Sequence, residues 1–261
     1  MLLNFFKYQG TGNDFIIIDN RASVFNRADH ALVAKLCDRR FGIGADGLML
    51  LQNAQGYDFE MVYYNSDGRE SSMCGNGGRC IVEFARLIGL VKDKALFLAS
   101  DGEHEALLKT HAISLRMNNV SKVEMNAAYS FLNTGSPHYV AFVNDVENYN
   151  VFEKGKEVRY NDRFKAEGTN VNFVEKKYND LFVRTYERGV EGETYSCGTG
   201  VTAAALVASL KNVATADTYC DIITLGGKLK VSFQKHPDHS FTDIWLEGPA
   251  TFVFKGEINI S

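Results

Sequence analysis

The 261-residue sequence predicts an α+β fold of two related halves, each a sheet wrapped around one central helix. Three observations lead there. First, Met73-Cys74-Gly75-Asn76-Gly77-Gly78-Arg79 and Ser196-Cys197-Gly198-Thr199-Gly200-Val201-Thr202 nearly repeat one another. Their cysteines stand 123 positions apart, and Thr11-Gly12 and Thr134-Gly135 share that offset, which marks a duplicated module. Second, short runs rich in Val, Ile, Phe and Tyr recur along the whole chain and read as strands. Third, the two cysteine segments open helices that need apolar surroundings. Ile81, Phe84, Ala85 and Ile88 keep helical spacing, as do Val201, Ala204, Ala205 and Ala208. The stretch 201–207 is apolar nearly all round, so it must be enclosed.

Taken in order, the strand-like runs are 15–19, 48–51, 59–64, 96–99, 112–117, 123–126, 139–143, 171–175, 181–187, 228–233, 243–247 and 250–254. Gly226-Gly227 is a hairpin signal. Helical patterns cover 29–40, 74–88 and 197–211. The polar stretch Asn118-Asn119-Val120-Ser121 divides the halves. The expected domains are 1–119, carrying Cys74, and 120–248, carrying Cys197. Residues 249–261 are expected to return to the N-terminal half as a strand.

Bulk properties exclude several classes. Net charge is −4 with no basic stripe, so nucleic acid is not an expected partner. The first residues lack a basic segment followed by an apolar core, and no 18-residue apolar run occurs, so neither secretion nor a membrane is expected. A soluble, cytoplasmic protein is the expectation. Five cysteines, an odd and sparse number, make a poor disulfide framework. No Cys or His spacing suits zinc, so no metal is expected.

A lone cysteine is usually a small buried hydrophobe. Cys74, however, precedes Gly75-Asn76-Gly77-Gly78, a run poor for a helix interior but suited to close backbone approach. Free amides at a helix start bind anions and lower a thiol pKa from about 8.5. They can therefore hold a carboxylate beside a thiolate. Cys197-Gly198-Thr199-Gly200 repeats this chemistry, and two facing thiols suit the transfer of a proton from one face of a carbon to the other.

Asn65-Ser66-Asp67-Gly68 precedes the first cysteine and Tyr186-Glu187-Arg188-Gly189 the second. As a polar turn and a surface ion pair they are ordinary; just upstream of each thiol they become substrate clamps, with Arg188 able to fork a carboxylate. His138, in Gly135-Ser136-Pro137-His138, is a proton partner if it titrates near neutrality, or else a structural histidine. Asn170 either contacts a ligand or caps a loop. Gly42-Ile43-Gly44-Ala45-Asp46-Gly47 formally matches a dinucleotide fingerprint. Its helix comes before and its strand after, the reverse of what that motif needs, so no nicotinamide site is expected.

These motifs, with Gly12-Asn13-Asp14-Phe15, Thr169-Asn170-Val171 and Trp245-Leu246-Glu247-Gly248-Pro249-Ala250, run in order over essentially the whole chain. Together they resemble the diaminopimelate epimerase family. The resemblance implies two pseudo-symmetric domains, each a β-barrel-like sheet about a central helix, with the active site between them. It also implies an isomerase that interconverts LL- and meso-diaminopimelate without a cofactor. That reaction serves lysine and peptidoglycan precursor synthesis. By the same likeness, Cys74 and Cys197 are the two bases, and Glu187 and His138 set thiol protonation. Asn13, Asn65, Asn170 and Arg188 read the distal groups, Gly75-Asn76 and Gly198-Thr199 cradle the reacting carboxylate, and the protein is a homodimer.

The chain departs from the family pattern at Gly47, where some members carry Gln, and at Ser136, in place of Asn before Pro-His. The turn Gly189-Val190-Glu191-Gly192-Glu193-Thr194 is also one residue longer. These bear on recognition of the distal groups more than on proton transfer. Alternative readings are a proline or hydroxyproline racemase, which has little use for the Asn13, Asn65, Asn170 and Arg188 set, and a phenazine-type isomerase, which needs no cysteine pair. A binding or thiol redox protein would wash no deuterium into a substrate.

Overall fold

The computed structural model describes residues 1–260. Met1–Leu115, with the segment from Pro249 onward, packs as one compact unit, and Arg116–Gly248 as another. The first unit holds β1 (Leu2–Gly10), β2 (Asn13–Asp19), α1 (His30–Cys37), β3 (Gly47–Gln52), β4 (Phe59–Asn65) and β5 (Glu70–Ser71). These are followed by α2 (Gly75–Leu87), β6 (Lys94–Ala99), β7 (Gly102–Leu108) and β8 (Ile113–Arg116). Strand β1 runs antiparallel to β2. A crossover through α1 then makes β2 and β3 parallel, and β4 returns antiparallel. After β5 and α2, strand β6 lies parallel to β4, and β7 and β8 follow antiparallel.

The second unit repeats this succession step for step. It contains β9 (Val123–Met125), β10 (Ser130–Asn133), β11 (Pro137–Phe142), α3 (Val151–Arg159), β12 (Asn170–Lys177), β13 (Asp180–Glu187) and β14 (Gly192–Thr194). Then come α4 (Gly198–Leu210), β15 (Tyr219–Thr224), β16 (Gly227–Lys235) and β17 (Phe241–Gly248). Strands β11 and β12 are parallel across α3, and β13 and β15 are parallel across α4. The remaining neighbours are antiparallel. The outer strand is β9 here, beside β10, and in the first unit β18 (Thr251–Asn259), beside β1.

Each unit is centred on its cysteine helix. Helix α2 lies against β1, β2, β3, β7 and β18, and α4 against β10 to β13 and β15 to β17. In α4, Gly198 and every residue from Gly200 to Ser209 are buried, as its unbroken apolar run requires. Helix α2 keeps one outer edge, where Glu83 and Arg86 pair at 2.5 Å. No helix among the described residues is long and apolar enough to cross a membrane.

Some elements differ from expectation. Helix α1 stops at Cys37 because the chain folds back: Ile43 and Gly44 donate their amides to the Leu36 carbonyl at 2.9 and 3.0 Å. Gly42 sits in that fold, where a Cβ would lie 2.1 Å from the Lys35 carbonyl oxygen. Helix α3 was not expected, since Gly155 interrupts its pattern. That glycine is required by packing, because a Cβ there would lie 2.4 Å from Cβ of Tyr186. Asn150 caps α3 by accepting from the Glu153 amide.

Candidate active site

In the first unit Cys74 is the N-cap of α2, in extended conformation and partly buried. Gly75 to Gly78 form the first turn, all buried. Gly77 and Gly78 are closely packed: a Cβ on Gly77 would lie 3.2 Å from Met49 Sδ, and one on Gly78 2.9 Å from Leu115 Cδ1. The Cys74 thiol points to Asn13 Oδ1 at 3.7 Å, and Asn76 Nδ2 donates to the same oxygen at 3.5 Å. Asn13 is oriented by Asp46, whose carboxylate accepts from Nδ2 at 2.6 Å and so leaves Oδ1 toward the thiol.

Behind Asn13 lies a charge network. Arg39 bridges Asp14 and Asp46 at 2.7 and 2.8 Å, and Lys7 pairs with Asp14 at 2.7 Å. Burial acts to raise the Asp14 carboxyl, but the hydrogen bonds and charges of Arg39 and Lys7 outweigh it and hold the group at about 2.

Arg79, one turn into α2, is fully buried. Its donors reach Asn76 Oδ1 at 3.0 Å, Thr11 Oγ1 at 3.1 Å, and the Pro249 and Gly75 carbonyls at 3.2 and 3.3 Å. Sequence reasoning assigned Arg79 no role, because a charged side chain on a helix ordinarily reads as a solvated face.

The second unit repeats the thiol. Cys197 is the N-cap of α4 and buried, with Sγ 3.6 Å from Thr199 Oγ1. The duplicated threonines do equivalent work: Thr11 Oγ1 donates to Asn76 Oδ1 at 3.3 Å, and Thr134 Oγ1 to the Thr199 carbonyl at 2.9 Å. Each ties a strand turn to the second residue of its helix. Thr202, in the place of Arg79, donates to the Gly198 carbonyl at 2.9 Å, as Arg79 does to that of Gly75.

Glu187 closes β13 and accepts a hydrogen bond from Thr194 Oγ1. The next amide, Arg188 N, donates to Asn170 Oδ1 at 2.9 Å, which turns Asn170 Nδ2 toward Ser136 Oγ at 2.9 Å. Ser136 is thus a partner of Asn170. The Arg188 side chain is exposed, with Nη1 on the Glu167 carbonyl at 2.9 Å. The longer turn is pinned by Glu191, which accepts from the Gly189 amide and Tyr186 hydroxyl at 3.1 Å each and pairs with Arg159 at 3.3 Å.

His138 is buried, with Nδ1 3.1 Å from Asn172 Nδ2. Burial, reinforced by the Arg188 charge, drops the imidazole to about 3, far below the near-neutral titration considered from sequence. At neutral pH it is uncharged. Asn65 is exposed at the end of β4, opposite Gly47. Gly47 cannot carry a longer side chain, since a Cβ would lie 2.6 Å from both the Tyr63 ring and the Tyr64 carbonyl oxygen.

The remaining thiols are set apart by burial. It pushes Cys37 up to about 12 and Cys220 up to about 11, and moves Cys80 in the same direction. All three stay protonated at neutral pH. Only Cys74 and Cys197 begin helices.

Two repeats of one βαβ-containing module each offer a thiol at the start of the central helix, and the family match places the chain among isomerases of the epimerase type. The chain belongs to the diaminopimelate epimerase family, whose model matches residues 5–123 and 130–253. A relative named diaminopimelate epimerase from Flavobacterium psychrophilum is 52% identical over 98% of this chain and all of its own length. One from Chlorobaculum tepidum is 41% identical over 96% of this chain and 99% of its own. Among solved structures, a phenazine biosynthesis protein of the PhzF family from Bacillus anthracis matches with TM-score 0.78 at 14% identity, covering all of both chains. A hydroxyproline epimerase from Agrobacterium vitis matches with TM-score 0.70 at 12% identity, covering 98% of this chain and 92% of its own. At such identities these two share the fold alone.

Proposed function

We propose that this chain interconverts LL- and meso-diaminopimelate by exchanging the α-proton between the thiols of Cys74 and Cys197, without a cofactor. The observation that carries the reading is the repetition of one N-cap cysteine on each of two equivalent helices. Inverting a carbon needs a base on one face and an acid on the other. One thiol starts as thiolate and the other protonated, since two thiolates serving the same carbon would repel and have no proton to return.

Removal of the α-proton builds negative charge on the substrate carboxylate. Amides at a helix N-terminus, carrying roughly half a positive charge, stabilise that charge as it develops. Gly75-Asn76 and Gly198-Thr199 supply them in the proposed site. Glu187 and His138 tune the thiols, while Asn13, Asn65, Asn170 and Arg188 hold the distal amino and carboxylate groups. Family likeness supports a cytoplasmic homodimer in lysine and peptidoglycan precursor synthesis.

Incubating LL-diaminopimelate with the reduced protein alone, and resolving the stereoisomers by chromatography, tests the reading. Meso product supports it. Unchanged LL isomer, with proline or hydroxyproline turned over instead, would move the chain to another substrate.

A further inference from the structure

The two units place different chemistry at one equivalent spot. In the parallel ladders, Phe15 faces Gly47 in the first unit and His138 faces Asn170 in the second. Two residues further along the second strand stand Met49 and Asn172, respectively. Phe15 and His138, and Met49 and Asn172, are each separated by the 123-residue repeat offset. Phe15 and Met49 lie beneath Gly77, the third residue of α2, and Asn172 lies beneath Gly200, the third residue of α4. A Cβ on Gly77 would lie 3.2 Å from Met49 Sδ and 3.5 Å from Phe15 Cε1; one on Gly200 would lie 2.3 Å from Asn172 Oδ1. All four residues are fully buried. The fold thus accepts an apolar pair here, and burying a polar one costs free energy without serving packing.

Hydrogen bonding settles which way the polar pair is wired. Asn172 Nδ2 lies 2.9 Å from the Tyr139 carbonyl oxygen, which only accepts, so the amide nitrogen must face that side. Thr185 Oγ1 donates to Asn172 Oδ1 at 3.0 Å. The same Nδ2 is 3.1 Å from His138 Nδ1, which must therefore be the bare, accepting nitrogen. The imidazole is neutral, as its burial requires. Its proton then sits on Nε2, a buried atom with no hydrogen-bond partner among the described residues.

We infer that Asn172 is a positioning residue that locks His138 as the Nε2–H tautomer, so that His138 offers a neutral hydrogen-bond donor to a reacting thiolate. This rests on the proton-transfer reading above and sharpens it: His138 acts as a donor, and removes no proton. Thr185 fixes Asn172, Asn172 fixes His138, and the amide is the one element that sets the polarity of Nε2.

Nitrogen-15 NMR of the histidine side chains at pH 7, without substrate, tests the lock directly. The wild-type protein is expected to show His138 with Nδ1 bare and Nε2 protonated. Asn172→Asp, nearly the same in shape, replaces the donor with an acceptor and is expected to put a proton on Nδ1. Asn172→Ser keeps a donor and is expected to keep the wild-type pattern. In turnover assays Asn172→Asp should lose about ten- to a hundredfold in kcat/KM, the worth of one hydrogen bond to a charged group, with Asn172→Ser retaining more. A wild-type His138 protonated on Nδ1 would overturn the inference even if neither variant folds. So would an Asn172→Asp protein with unchanged tautomer or undiminished turnover. Because the spectra need no substrate, a chain that fails to epimerise yet shows the expected tautomer would fault the proposed reaction and leave the lock standing.

Discussion

Arg79 donates to Asn76 Oδ1 at 3.0 Å from a fully buried guanidinium, and this contact orients the first turn of the Cys74 helix. A guanidinium only donates, so Asn76 must present its oxygen to Arg79 and its nitrogen to Asn13. The cation has four neutral acceptors and no carboxylate among the described residues. Removing it relieves a costly buried charge while breaking hydrogen bonds, so the two effects oppose one another. Arg79→Met is therefore expected to lose at least about tenfold in kcat/KM, with unfolding free energy changed by no more than about 2 kcal/mol. Turnover and thermal melts on the same preparation check this; a collapse in stability with activity per folded molecule intact would contradict it.

Each thiol is indispensable in a two-base exchange. Cys74→Ala and Cys197→Ala are each expected to abolish epimerisation, and the double variant to be no worse than either single one, because the pair acts as a unit. Steady-state assays with both diaminopimelate isomers measure this. Normal turnover by either single variant would remove that cysteine from the mechanism.

Gly200 leaves no space for a methyl group, since its Cβ would lie 2.3 Å from Asn172 Oδ1 and 3.3 Å from Cys197 Cβ. Gly200→Ala should cost about 1–3 kcal/mol of stability through overpacking and displace Cys197 enough to reduce kcat. Gly192→Ala is the control, because nothing lies within 4 Å of its Cβ position. Denaturant unfolding of the two variants should separate them clearly.

Asp14 supplies a pH signature. Its folded-state carboxyl titrates at about 2, below the ordinary 3.8, so its contribution is present above 3.8 and fades as pH falls toward 2. With partial exposure allowed for, Asp14→Asn should cost about 1–2 kcal/mol at pH 6 and almost nothing near pH 2. Urea unfolding across that range checks the sign; a cost that grows as the solution is acidified would refute the assignment.

The duplication was legible because Cys-Gly and Thr-Gly recur at one offset, and helices α2 and α4 because their apolar residues keep a helical period. Strand β1, with Asn4, Lys7 and Gln9 among its aromatics, and helix α3, with Gly155 inside it, escaped notice. In both cases tertiary packing overrides local preference: Lys7 is buried by its contacts with Asp14 and Gly44, and Gly155 by Tyr186. The wiring of the site was less visible still. A parallel ladder joins His138 to Asn172 across 34 positions, and nothing in the spacing announces it. A sequence shows which groups carry chemistry, but tautomers and charge states arise only once burial and partners are set.

Proton NMR of LL-diaminopimelate with the reduced protein in D2O, no cofactor added, tests the two-thiol exchange most directly. Deuterium entering the α-position as meso product accumulates is the predicted result, with both processes lost in Cys74→Ala and Cys197→Ala. Meso product formed with the α-proton wholly retained, or no exchange from folded and reduced protein, would contradict it.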